Sequence, residues 1–222
     1  MTPWNIVAMA KLKGLDVIAV TDHNTAGNLP EVMAAGQALG VAVVPGIEVA
    51  SKEEVHMLAY FETLESALAF GALVQAHLPP LKNRPALFGR QILMGEGDAE
   101  TGELEQLLIS ATDLPMEWLR KAIEQHGGMA VPAHINRGNN GMLGALGMMP
   151  ELPCYPVVEL YPGVDCPKAA TEGRFVLRSS DAHRLGDISE RDFYWEGTEK
   201  TAKEVLQLLR NEAAGRMQAE GV

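Results

Sequence analysis

The residues best equipped for chemistry fall where apolar runs break. Val17-Ile18-Ala19-Val20 is four apolar residues in a row, three of them β-branched, and reads as a short buried strand that stops at Thr21-Asp22-His23-Asn24-Thr25. Similar breaks carry Glu48 (Gly46-Ile47-Glu48), His56 (Val55-His56), His134 (Pro132-Ala133-His134) and the Asp181/His183 pair (Ser180-Asp181-Ala182-His183). The chain has six histidines, and four of them belong to this set. A lone histidine beside a strand is ordinarily structural, but four sharing one placement with acids point to a common ligand. Imidazole and carboxylate without thiolate suit Zn²⁺, Mn²⁺ or Fe²⁺ better than Ca²⁺. Cys154 and Cys166, with eleven residues between them, match no zinc spacing and read as free thiols.

Alternating helices and strands must position these groups. Thr2 and Pro3 read as a helix start and Gly14 as its end; Asn28 reads as the cap of a second helix that runs to Leu39. Val41 to Pro45 and Val55 to Phe61 are strand candidates, and Leu64 to Leu78 is an apolar-periodic helix stopped by Pro79-Pro80. His56 opens its strand where the other ligands close theirs, so the chain must be irregular or reversed there. Residues 82–113 read as an irregular insertion at one end of the fold, with a short helix over Glu103 to Ile109. Asp113 and Pro115 open a helix that Gly127-Gly128 close, and Met129 to Ala133 is the strand that delivers His134. Asn136 to Met149, rich in Gly and Met, reads as a mobile rim loop, its methionines packing groups and not soft-metal ligands. Val157 to Tyr161 and Phe175 to Ser179 are further strands, and Phe193 to Trp195 a last one. Thr201 and Glu204 form a capping box for a C-terminal helix with Val205, Leu208 and Leu209 inside. Short glycine-bounded loops between such elements mark a parallel sheet or barrel.

The bulk numbers fit one α/β domain over residues 1–222 with a full core. Apolar content of 47% and charged content of 21% are ordinary for a globular chain. No apolar run reaches the roughly 18 residues of a membrane span, and no basic-then-apolar leader opens the chain, so no membrane partner and a cytoplasmic location are expected. Net charge is −11 with scattered Lys and Arg, which argues against nucleic acid as a partner.

The five ordered motifs resemble those of the PHP (polymerase and histidinol phosphatase) family, over nearly the whole chain. The resemblance implies a distorted seven-stranded β/α, TIM-like barrel with up to three metals at its C-terminal rim. By that resemblance Glu48 bridges a first and a second metal, His56 and His134 complete the second, Asp181 serves the first, and His23 and His183 share the third. Asp22 and His183 are the catalytic candidates, Asp22 by orienting a neighbour. The family's opening His-x-His strand has no counterpart, because no histidine precedes His23. Only the Glu48/His56/His134 set is complete, so fewer than three metals are expected. Met1 is then expected to be an internal methionine of a longer protein, the other explanation being a degenerate member. A barrel without its first strand should show a gap in its wall or pair its free edges with another copy, giving a homo-oligomer.

The resemblance implies hydrolysis of a small soluble phosphate ester. Paired cations lower the pKa of a shared water, which attacks phosphorus in line, and they offset charge on the equatorial oxygens. Arg137, three residues after His134, and Arg184, next to His183, are placed to fork onto phosphate. His77 and His126 stay outside this set, as a packing or surface group and a helix C-terminal cation. The alternative is a non-catalytic binding or scaffold protein on a degenerate barrel; a nuclease-like editing domain is a third reading, opposed by the net charge.

Overall fold

The structure, a computed structural model, describes residues 1–151, 155–191 and 194–219. The chain runs through α1 (Pro3–Leu12), β1 (Val17–His23), α2 (Leu29–Leu39), β2 (Ala42–Ala50), β3 (His56–Tyr60) and α3 (Leu64–Ala76). A middle segment holds α4 (Pro85–Phe88), β4 (Ile92–Gly95) and β5 (Ala99–Glu103). The remainder is α5 (Met116–Gln125), β6 (Met129–Pro132), α6 (Met142–Leu146), β7 (Val157–Leu160), α7 (Lys168–Thr171), β8 (Phe175–Arg178) and α8 (Ala202–Ala219).

Four strands form one sheet in the order β1-β2-β3-β6, and β7 with β8 forms a second, parallel pair. β1 and β2 are parallel, from Val17 opposite Ala42 to His23 opposite Glu48. β3 runs antiparallel to both β2 and β6. That reversal brings its first residue, His56, opposite Ala50, to the edge where β1, β2 and β6 end. The Ile135 amide donates to the Glu159 carbonyl at 2.9 Å, tying the end of β6 to β7. Among the described residues β1 and β8 are each paired along one edge only, so six strands line the site and the ladder does not close into a barrel.

The period of two along each strand divides the apolar residues between two cores. Ile47, Val49 and Met57 pack outward against Val7 of α1, Val32 of α2, Phe70 of α3 and Leu119 and Ile123 of α5. Val44, Leu58, Tyr60, Val131 and Leu177 face the other way and meet Leu206 and Leu209 of α8. Thr201 caps α8 as its motif predicts, accepting from the Glu204 amide at 3.1 Å. Leu206 and Leu209 are its innermost residues, with Val205 and Leu208 half-buried.

Two helices are capped from elsewhere in the chain. Thr2 does not cap α1 with its side chain; Asp98 does, accepting from the Trp4 amide at 3.0 Å and from the Thr2 hydroxyl. Pro115 offers α5 no side-chain acceptor, and the Met116 amide donates to Glu53 at 3.0 Å. Asn28 is freed from capping α2 and holds the β4 segment, donating to the Ile92 carbonyl and accepting from the Met94 amide.

Three local expectations are corrected. Residues 82–113 contain the β4–β5 hairpin, and no helix forms over Glu103 to Ile109. There the Gln91 side chain bonds the Leu104 and Gln106 carbonyls and the Leu108 amide, tying that stretch to Gln91 where a helix would bond it to itself. Asn136 to Met149 includes the short helix α6, whose Met142 is fully buried. Tyr194 and Trp195 lie outside any strand, while Phe193 lies outside the described residues. Cys154 also lies outside them, and Cys166 is a half-buried free thiol. Among the described residues no helix is long and apolar enough to cross a membrane.

Candidate metal centre

Five separate segments meet at the edge where β1, β2 and β6 end. His23 and Glu48 are register partners across the β1–β2 pair, with Nδ1 3.6 Å from Oε2. Glu48 also faces His56 Nδ1 at 2.7 Å and His134 Nε2 at 3.1 Å, both through Oε1. The His56 ring centroid is 5.3 Å from those of both His23 and His134. His183 lies 6.0 Å beyond His23, and its Nδ1 is 2.9 Å from the Asp181 carbonyl and 3.6 Å from its carboxylate. Of the predicted metal ligands, His23, Glu48, His56 and His134 share direct contacts, with Asp181 and His183 alongside.

Turns after the strands aim these groups. Asn24, His134 and Asp181 have φ of 51°, 27° and 45°, left-handed values that a non-glycine residue adopts only under constraint. Asn24 supplies such a constraint: it is buried, its amide donates to the Glu48 carbonyl, and its side chain bonds the Leu108 and Ser110 carbonyls and the Ala50 amide. His134 is held by its own amide, which donates to Glu159 Oε2 at 2.9 Å. The loop after it folds back at Gly141, where a Cβ would lie 2.6 Å from the carbonyls of both His134 and Arg137. That close approach brings Asn140 to His56, which it meets twice: its carbonyl accepts from the His56 amide and its side chain sits 3.0 Å from Nε2.

Electrostatics follow from burial and contact. Glu48 is 5% exposed; burial favours its neutral form, but hydrogen bonds with His134 and His56 outweigh that and hold it well below the usual carboxylate range. Burial lowers the His23 pKa, partly offset by Glu48, and so favours the neutral imidazole. For His134 burial is the largest single influence and lowers the pKa, but the hydrogen bond and charge of Glu48, with the charges of Glu159 and Asp181, together outweigh it and raise the pKa. Burial raises Asp22, whose carboxylate receives a 3.4 Å contact from Asn28, and raises Glu159 as well.

The residues present fit a divalent cation. One donor atom each from His23, Glu48 and His56 lies within 4.8 Å of the other two, the span of a coordination sphere before it tightens. His134 is not in that group of three; it faces Glu48 through Nε2, while its Nδ1 is buried with no hydrogen-bond partner among the described residues. Three imidazoles around one carboxylate make a donor set with borderline softness, suited to transition metals.

Arg137 and Arg184 differ in placement. The Arg137 guanidinium stacks 4.0 Å over the Tyr161 ring and pairs with Asp181, at the edge of the cluster. Arg184 follows His183 in the chain and is exposed, with no ion pair or hydrogen bond to these groups among the described residues. The sequence reading missed Asn140 and Glu159. Neither lies in a ligand motif, and only the folded contacts reveal them.

No family model matches the chain. An uncharacterised protein of Methanocaldococcus jannaschii is 43% identical over 51 residues, which are 23% of this chain and 30% of that one. Among solved structures, the lesion-specific endonuclease Q of Pyrococcus furiosus superposes with a TM-score of 0.69 at 19% identity, covering 95% of this chain and 51% of that one. A proposed metal-dependent phosphoesterase from Bifidobacterium adolescentis gives 0.58 at 16% identity, over 95% and 91% of the two chains. An amidohydrolase from Chromobacterium violaceum, with bound sulfate and no metal, gives 0.52 at 17% identity over 96% and 92%. The fold is therefore the mixed α/β fold shared by these hydrolases. The chain spans about half the length of the endonuclease, 51%, and less of the M. jannaschii protein, 30%.

Proposed function

We propose that this chain is a divalent-metal-dependent hydrolase of phosphoester bonds. One observation carries the reading: Glu48, nearly buried and held ionised, is ringed by His23, His56 and His134 from three different strands or strand ends. The imidazoles that hydrogen-bond this buried carboxylate keep it anionic, and an anionic oxygen among imidazole nitrogens is a donor set for a cation. A divalent cation held there would polarise a phosphoryl oxygen and make a water acidic near neutral pH.

The chain's own groups divide the remaining work. Glu48 supplies the central anionic oxygens, and His23, whose neutral form burial favours, offers a ring-nitrogen lone pair. Asp181 and His183 extend the cluster past His23, on the side where Arg137 presents its guanidinium. Released from Asp181, that fork would meet phosphate oxygens in two parallel hydrogen bonds while still stacked on Tyr161. Asp22, made more basic by burial, sits next to His23 and suits a proton-holding or orienting role.

The substrate in this reading is a small soluble phosphate ester. A second reading, a phosphodiester within DNA, is favoured by the likeness of fold to endonuclease Q, which has also been solved with a duplex bearing an abasic lesion (TM-score 0.62). The net charge of −11 favours the small ester. Release of nitrophenol from p-nitrophenyl phosphate and its bis-ester, and cleavage of an abasic-site duplex, should be measured with Mn²⁺, Zn²⁺ and Fe²⁺. Metal-dependent turnover lost in Glu48→Gln is expected. No turnover of any of the three with any metal would overturn the hydrolase and leave the non-catalytic binding protein.

A further inference from the structure

Glu159, in the middle of β7, is only 4% exposed, and the whole His134 turn is tied to it. β6 ends at Pro132, so His134, at φ 27°, has left the ladder that satisfies strand amides. A buried amide in that position needs an acceptor from elsewhere. The His134 N–H donates to Glu159 Oε2 at 2.9 Å, and the Ile135 N–H donates to the Glu159 main-chain carbonyl at 2.9 Å. One residue thus accepts from the amides on both sides of the His134 Cα–C bond, fixing the backbone in its left-handed turn. With that turn fixed, the imidazole has only its own torsions left with which to place Nε2, 3.1 Å from Glu48.

We propose that Glu159 is a positioning residue for His134: its carboxyl oxygen serves as the acceptor of the His134 amide and thereby aims the imidazole at the Glu48 cluster. The proposal rests on the reading of that cluster as a metal site. It assigns Glu159 no bond to metal or substrate. The role needs a hydrogen-bond acceptor of this length and does not need a negative charge. Glutamine satisfies the same requirement, because its amide oxygen can accept the His134 N–H, whereas leucine and alanine cannot.

The test uses Glu159→Gln, Glu159→Leu and Glu159→Ala in the full chain, with two readouts. Cobalt(II) is titrated into each protein and followed by its visible absorption, and the His134 amide is followed by ¹⁵N–¹H NMR in the metal-free protein. Glu159→Gln should bind cobalt within about 3-fold of the parent, while Leu and Ala weaken it by about 10–100-fold, the usual cost of losing a group that orients a ligand. The His134 amide should keep its low-field position in Gln and move upfield, exchanging faster, in Leu and Ala. Loss of cobalt binding in Gln equal to that in Leu would overturn the proposal and make Glu159 itself a ligand. Parent-like binding, or an unchanged His134 amide, in Leu or Ala would also overturn it. If Leu fails to fold, Ala decides by the same criteria. If the parent protein takes up no cobalt, the metal reading fails by itself, and the amide measurement still decides whether Glu159 holds His134.

Discussion

His23 and Glu48 stand directly opposite each other at the last paired position of β1 and β2, Nδ1 3.6 Å from Oε2. Parallel pairing places the two strand ends at the same edge, and an in-register ladder makes their side chains point to the same face. Everything else at the site is arranged around this pair: the reversed β3 brings His56 to the other carboxylate oxygen, and the turn after β6 adds His134.

Glu48→Gln should remove the centre of the cluster without changing its size. Transition-metal affinity is expected to fall by more than about 100-fold, beyond the cost of disturbing an outer group. Calorimetric titration with Zn²⁺ or Mn²⁺ reads this, and parent-like affinity in the variant would show that Glu48 is not a ligand.

Metal should stabilise the fold by binding the native state alone. At free metal about 100 times its Kd the gain is about 2.7 kcal/mol, near 5–11 °C in Tm for a chain of this size. Chelation should reverse the shift, and His56→Ala combined with His134→Ala should abolish it. Scanning calorimetry of parent and double variant with and without metal is the measurement; an equal rise in both would place the binding elsewhere.

Arg137→Ala should spare metal affinity and weaken phosphate. Inorganic phosphate, as an inhibitor or in a direct titration of the metal-loaded protein, is expected to bind about 10-fold less tightly, the loss of one charge-assisted contact. Arg137→Lys should not restore it, because lysine neither forks onto phosphate nor stacks on Tyr161 in the same way. Arg184→Ala, at an exposed position with no bond to the cluster, should leave both quantities unchanged.

Asp98→Ala should destabilise the protein by about 1–2 kcal/mol, as loss of a helix cap does, although Asp98 lies far along the chain from α1. Asp98→Asn retains an acceptor for the Trp4 amide and should recover most of the loss. Urea unfolding of the metal-free chain measures both, and an Ala variant as stable as the parent would mean the cap carries no weight.

By itself the sequence determined the strands that carry the site and its candidate side chains. Apolar runs ending in polar residues marked β1, β3, β6, β7 and β8, because a buried strand must change composition where it meets solvent. His23, Glu48, His56 and His134 were legible as a candidate set because four of the six histidines share one placement with acids, and the awkward position of His56 called for an irregular or reversed segment, of which the antiparallel β3 is the second kind. Only the tertiary structure decided what holds those side chains in place. Asp98 capping α1, Asn140 meeting His56 and Glu159 receiving the His134 amide are contacts between segments distant in sequence. Local periodicity carries no trace of such contacts, since a side chain's partner depends on how strands and loops come together in space. The same holds for the two arginines, alike in their spacing from a histidine: one faces Asp181 over Tyr161 and the other faces solvent, a difference set by the path of the chain after each strand.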